Sequence, residues 1–120
     1  MANYQIDHLH LFSPDPIKTA NFYQNHFGAV LVRSSKAGDG KITVNINLGG
    51  ITMLISTAAE GKPAGLAHFA IRTDCLDKSV EELKSKGVKF TTDIVELPSV
   101  KYLFMPAPEN MSVEILERQV

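Results

Sequence analysis

Ile6-Asp7-His8-Leu9-His10-Leu11-Phe12 alternates with a period of two, so an extended chain here turns His8 and His10 to one side and Leu9 and Leu11 to the other. The leucine side suits a core; the histidine side suits chemistry. Taken alone, two histidines on a strand are equally consistent with solvated polar residues, and the rest of the chain has to separate the two readings. Just downstream, Ser13-Pro14-Asp15-Pro16 stops the strand, with Asp15 placed to cap a helix and Pro16 to open it. Ile17, Ala20, Tyr23 and Phe27 recur at helical spacing and Gly28 supplies the stop, which predicts a helix from Pro16 to about Phe27 lying on the Leu9/Leu11 face. Strands are then expected over Ala29–Arg33, Ile42–Leu48 and Ile51–Ile55, with Gly49-Gly50 as a tight turn.

A stretch low in large apolar residues, Thr57 to Gly65, separates this unit from a second one built the same way. Leu66–Thr73 reads as a strand with His68, Ala70 and Arg72 on one face. Asp74 is placed to cap a helix carrying Leu76, Val80 and Leu83, and Gly87 to end it. Val88–Ile94, Lys101–Met105 and Met111–Leu116 complete the set of strands. The chain thus reads as a tandem repeat of one strand-helix-three-strand unit, offset by about sixty residues.

Superimposing the two units puts His68 on His8, each on the face away from its helix. In the last strand Ser112, Glu114 and Leu116 share a face, so Glu114 also turns away from the helical layer. Two imidazoles and a carboxylate then converge. A carboxylate inside a sheet is costly unless it is paired or bound to a metal, and a divalent cation satisfies all three groups together.

Composition limits the alternatives. With 120 residues and 44% hydrophobic content the chain is long enough for one ordinary soluble domain with a core. A formal net charge of −1 argues against a nucleic-acid or polybasic membrane surface, and no apolar run is long enough to span a bilayer. One cysteine, Cys75, allows no internal disulfide and fits a cytoplasmic location, as does a start without the layout of a secretory signal.

Nearly end to end, these segments resemble the vicinal oxygen chelate superfamily of glyoxalases, bleomycin resistance proteins and extradiol dioxygenases, which also includes methylmalonyl-CoA epimerase and fosfomycin-resistance thiol transferases. The resemblance is carried by Ile6-Asp7-His8-Leu9-His10-Leu11 with Phe22-Tyr23 and Phe27-Gly28, by Leu66-Ala67-His68-Phe69-Ala70-Ile71 with Asp74 and Gly87, and by Val113-Glu114-Ile115-Leu116. It implies an α+β fold of two tandem βαβββ modules forming a cupped mixed sheet. The whole chain is then a single glyoxalase-like domain, with modules at about 4–56 and 66–118 and a linker or lid over 57–65. By position His8, His68 and Glu114 match three metal ligands of that family, and the fourth ligand position falls at Met53, whose thioether is a poor ligand for hard divalent ions.

The resemblance therefore implies a three-ligand site for one divalent ion (Zn, Mn, Fe, Ni or Co), with positions open to substrate. Its activity would be that of an isomerase, lyase, thiol transferase or dioxygenase chelating two neighbouring oxygens of a small substrate. His10, where a threonine would help bind phosphonate, and Phe104, near an expected tyrosine, depart from the fosfomycin branch. His10 is a candidate catalytic base, a spare ligand or a pocket wall; an imidazole's ordinary pKa of about 6.5 suits proton transfer. Arg72 and Tyr102 are candidate substrate-binding residues, Arg72 because its guanidinium can fork a carboxylate or phosphate. A homodimer is expected. The alternative is a metal-free container that sequesters a drug or other small molecule, as bleomycin-binding relatives do.

Overall fold

The computed structural model describes residues 3–119. In chain order it contains β1 (Tyr4–Ser13), α1 (Pro16–Phe27), β2 (Val30–Lys36), β3 (Ile42–Leu48), β4 (Ile51–Thr57), β5 (Gly65–Thr73), α2 (Leu76–Ser85), β6 (Val95–Glu96), β7 (Val100–Ala107) and β8 (Met111–Arg118). This is an α+β fold in which the order strand, helix, three strands occurs twice. The chain divides into two compact units. One is His8–Ala67; the other is made of the described residues up to Asp7 and from His68 onward.

In the His8–Ala67 unit the strands run in the order β2-β3-β4-β1, with β1 parallel to β4 and the other neighbours antiparallel. Asp15 caps α1 by accepting a hydrogen bond from the Lys18 N–H, Pro16 opens the helix, and Gly28 closes it in the left-handed conformation at φ 72°. The buried core joins Ala20 of α1 to Val44, Ile46, Met53 and Ile55, with Leu9, Leu11 and Tyr23 packed against it. Burying these aliphatic side chains is what holds the helix to the sheet.

In the other unit the order is β5-β8-β7-β6, with β5 parallel to β8 and the rest antiparallel. Leu76, Leu103, Val113 and Ile115 form its core, flanked by Phe69, Ile71, Val80 and Leu83. Two local expectations fail here. Asp74 does not cap α2: its carboxylate accepts from the backbone and side chain of Asn3, Cys75 occupies the cap position without a side-chain hydrogen bond, and the first amide of the helix, that of the buried Leu76, is taken by Glu117 Oε1 at 2.8 Å. Nor is 88–94 a strand; pairing begins only at β6. Phe90 is drawn into the core, while Thr91 and Thr92 hydrogen-bond with the Phe104 backbone, so side-chain oxygens replace part of a regular ladder. Before β8 the chain turns through Glu109 and Asn110, both with positive φ (65° and 58°), and Asn110 is the kind of residue that tolerates it.

Candidate metal centre

Residues paired side by side in neighbouring strands share a face of the sheet, so the registers fix which side chains accompany the histidines. In the His8–Ala67 unit His8 is level with Thr52 and Asn47, and His10 with Leu54, Asn45 and Arg33. Leu9 is level with Met53 and Ile46, both buried in the core beneath α1. His8 and His10 therefore lie on the face away from the helix. Their ring centroids are 6.4 Å apart, and His8 is 5% exposed. His10 Nε2 hydrogen-bonds the Ser56 hydroxyl at 2.9 Å, and Ser56 in turn meets the Thr43 hydroxyl at 3.2 Å.

The same registers correct the placement of the fourth ligand position. Met53 points into the core on the opposite face from His8, so it cannot stand beside the ligands at all. The side chains flanking the histidines on β4 are Thr52 and Leu54, and neither is a strong ligand for a divalent ion.

In the other unit Ala70 is level with Glu114, and Glu114 with Phe104. Glu114 thus faces away from Val113 and Ile115, which are core residues beneath α2. His68, two residues before Ala70 on β5, shares that face: its Nε2–H donates to Glu114 Oε1 at 3.1 Å, and its ring meets Phe104 edge-on at 5.2 Å. The two side chains are 15% and 12% exposed. Loss of the shared proton would give Nε2 a ligating lone pair beside the carboxylate oxygen, and a divalent cation in its place would leave both satisfied. Two imidazoles and one carboxylate are a donor set known to suit catalytic transition-metal sites.

Tyr102 lies on the same face as Phe104 and contacts it edge-on, 6.0 Å between centroids. Arg72 stands at the end of β5. Its guanidinium donates to Gln5 Oε1 and lies 3.9 Å from the Asp7 carboxylate, which is itself held by two hydrogen bonds from Arg118, 2.6 and 3.3 Å. That bond to Asp7 raises the Arg118 pKa above its usual value, against an opposing effect of burial. Sequence reading missed Asp7, Gln5 and Arg118 as a group. Only Asp7, the one carboxylate of β1, hinted at a partner.

Residues 5–107 match the family model of the Glyoxalase/Bleomycin resistance protein/Dioxygenase superfamily, and the chain belongs to that superfamily. His8 and His68 lie within the matched span, and Glu114 beyond it. Among curated proteins it is similar to YwkD of Bacillus subtilis (strain 168), 26% identical over 125 residues, covering 94% of this chain and 96% of that one. Among solved structures it is similar to the protein BH1468 from Bacillus halodurans C-125, with a TM-score of 0.80, 16% identity and coverage of 98% of this chain and 96% of the other. It is similar also to methylmalonyl-CoA epimerase from Mycobacterium tuberculosis, with a TM-score of 0.76, 18% identity and coverage of 96% and 88%. At these identities the structural likeness is one of fold. No helix among the described residues is long and apolar enough to cross a membrane.

Proposed function

We propose that the chain is a divalent-metal-dependent enzyme that acts on a small, oxygen-rich substrate, with His8, His68 and Glu114 as the metal ligands. The observation that carries this reading is the His68–Glu114 pair, a poorly exposed imidazole and carboxylate joined on the face away from α2. His8 is the matching residue of the repeat and is likewise buried on the face away from its helix. His10, two residues beyond His8 and on the same face of β1, is either a further ligand or the group that moves a proton.

A divalent ion held by these residues supplies Lewis-acid polarisation of substrate oxygens. The protein's own part is proton handling and orientation. His10 accepts or returns a proton at Nδ1, and the hydrogen bond of its Nε2 with Ser56, extended to Thr43, fixes the ring for that task. Tyr102 and Phe104 wall the face beside Glu114. Arg72 serves as an anion anchor if substrate draws it from Gln5 and Asp7. The reaction belongs with isomerase or lyase chemistry, because a base next to a ligand position is what such proton transfers need.

The proposed assembly is a homodimer in the cytoplasm, acting as one domain. Exposed apolar residues on β2, among them Val30 and Val32, support a self-association surface, and the lone thiol Cys75 fits a reducing compartment.

The test is to strip the purified protein of metal, reload it, and incubate it in D2O with 2-oxo acids, 2-hydroxy ketones and acyl thioesters while NMR follows exchange and turnover. The reading expects turnover or carbon-bound deuterium that depends on metal and is lost in His10→Ala. Ligand binding with no turnover under either condition contradicts it and marks the chain as a container. Metal content of His10→Ala then assigns that residue: retained metal makes it the base, and lost metal makes it a ligand.

A further inference from the structure

Asn45 sits in the middle of β3, and its carbonyl oxygen Oδ1 is shut off from solvent without a hydrogen-bond partner. A buried amide oxygen left in this state gives up its hydration for nothing, and such atoms are few in folded proteins. Its surroundings explain why no side chain fills the gap. Thr43 and Ser56 are occupied with each other and with His10, Asn47 Oδ1 receives the Gly50 N–H, and Leu54, level with Asn45 on β4, has no donor. On the other side Asn45 is level with Arg33 of β2. The Arg33 side chain is exposed and makes no hydrogen bond or ion pair among the described residues.

Arg33, Asn45, Leu54 and His10 thus form one row across the His8–Ala67 unit, on the face away from α1. Strands are about 4.8 Å apart, so the Asn45 backbone lies about 10 Å from that of His10, and Arg33 lies one strand further out. Resting on the reading of the His10 face as the reacting face, the geometry points to Asn45 as a specificity-determining residue. When substrate binds, the half-buried Asn45 amide turns its Oδ1 outward, losing no hydrogen bond in doing so, and accepts from a hydroxyl at the end remote from the reacting oxygens, while Arg33 pairs with a carboxylate beyond it. The substrate class is a small hydroxylated carboxylic acid. A site built to bind a hydroxyl rejects the analogue that lacks it, because the site's own polar atom is then left buried and unpaired.

Two measurements test this. Asn45→Leu removes the orphan oxygen for a side chain of similar size, so its melting temperature should equal or exceed that of the wild type; a fall of several degrees would show that Asn45 is structural and overturn the assignment. Calorimetric titration then compares malate with succinate, and citrate with tricarballylate, on protein that has been incubated with divalent metal and freed of the excess. The wild type should bind the hydroxylated member of at least one pair about tenfold more tightly, the preference should vanish in Asn45→Leu, and Arg33→Gln should weaken both members while keeping their ratio. No hydroxyl preference in the wild type overturns the proposal. So does a preference that survives in Asn45→Leu, since the hydroxyl would then be read elsewhere. Elemental analysis of each preparation separates this from the enzymatic reading: a protein that takes up no metal yet shows the Asn45-dependent preference defeats the latter and leaves Asn45 assigned.

Discussion

Glu114 is poorly exposed and spends its charge on His68, so removing it does two things to the free protein. It removes a hydrogen-bond acceptor from the largely buried His68 imidazole and takes away a proposed ligand. Glu114→Gln, which keeps the shape and a hydrogen-bonding oxygen, should leave the fold intact by circular dichroism and lower metal affinity about tenfold or more in a competition titration with a chromophoric chelator. Unchanged affinity would remove Glu114 from the ligand set. The Asp7–Arg118 pair is a structural counterpart. Asp7 is 6% exposed but Arg118 is about half exposed, so solvent screening limits its worth, and Asp7→Ala should cost about 1 kcal/mol in urea unfolding. Because the folded state raises the Arg118 pKa, its contribution is complete below the usual arginine value and is lost only as pH climbs past the raised one. The cost of Asp7→Ala should therefore be the same at pH 6 and pH 9.

Among the elements, α1 was legible because its signals are local: Asp15, Pro16 and Gly28 stand within a residue or two of the ends they set. Asp15→Ala should cost about 1 kcal/mol. At α2 the same local logic pointed to Asp74 and failed. The amide it would have capped is served by Glu117, 41 residues further on, and nothing within the helix sequence announces a partner at that distance. Glu117→Ala should accordingly destabilise the protein more than Asp74→Ala does, by about 1 kcal/mol, measured as the difference in urea unfolding. The 88–94 segment failed for a related reason. Its threonines bond with the Phe104 backbone and its phenylalanine fills the core, and a pattern of apolar residues does not distinguish that from a paired strand.

Across the molecule, the repeat was the informative feature. It placed His68 on His8, turned Glu114 away from its helix, and gave each unit its element order. Register was harder to read. A shift of one residue exchanges the faces of a strand, and β4 alternates Thr52, Met53, Leu54 without a charge to mark which side is polar, so Met53 was assigned to the histidine face when it belongs to the core. Asn45 escaped notice for the opposite reason: an orphan oxygen is a property of its neighbours, visible only once they are in place. The proposed homodimer is checked by light scattering after size exclusion, where a particle of twice the chain mass is expected and a monomer at all concentrations would refute it. The decisive measurement is equilibrium dialysis against Zn, Mn, Fe, Ni and Co, with elemental analysis of the wild type and of His8→Ala, His68→Ala and Glu114→Ala. The account predicts a single ion per chain in the wild type and its loss in each folded variant. A wild type that retains no ion, or variants that hold one as tightly, would contradict it.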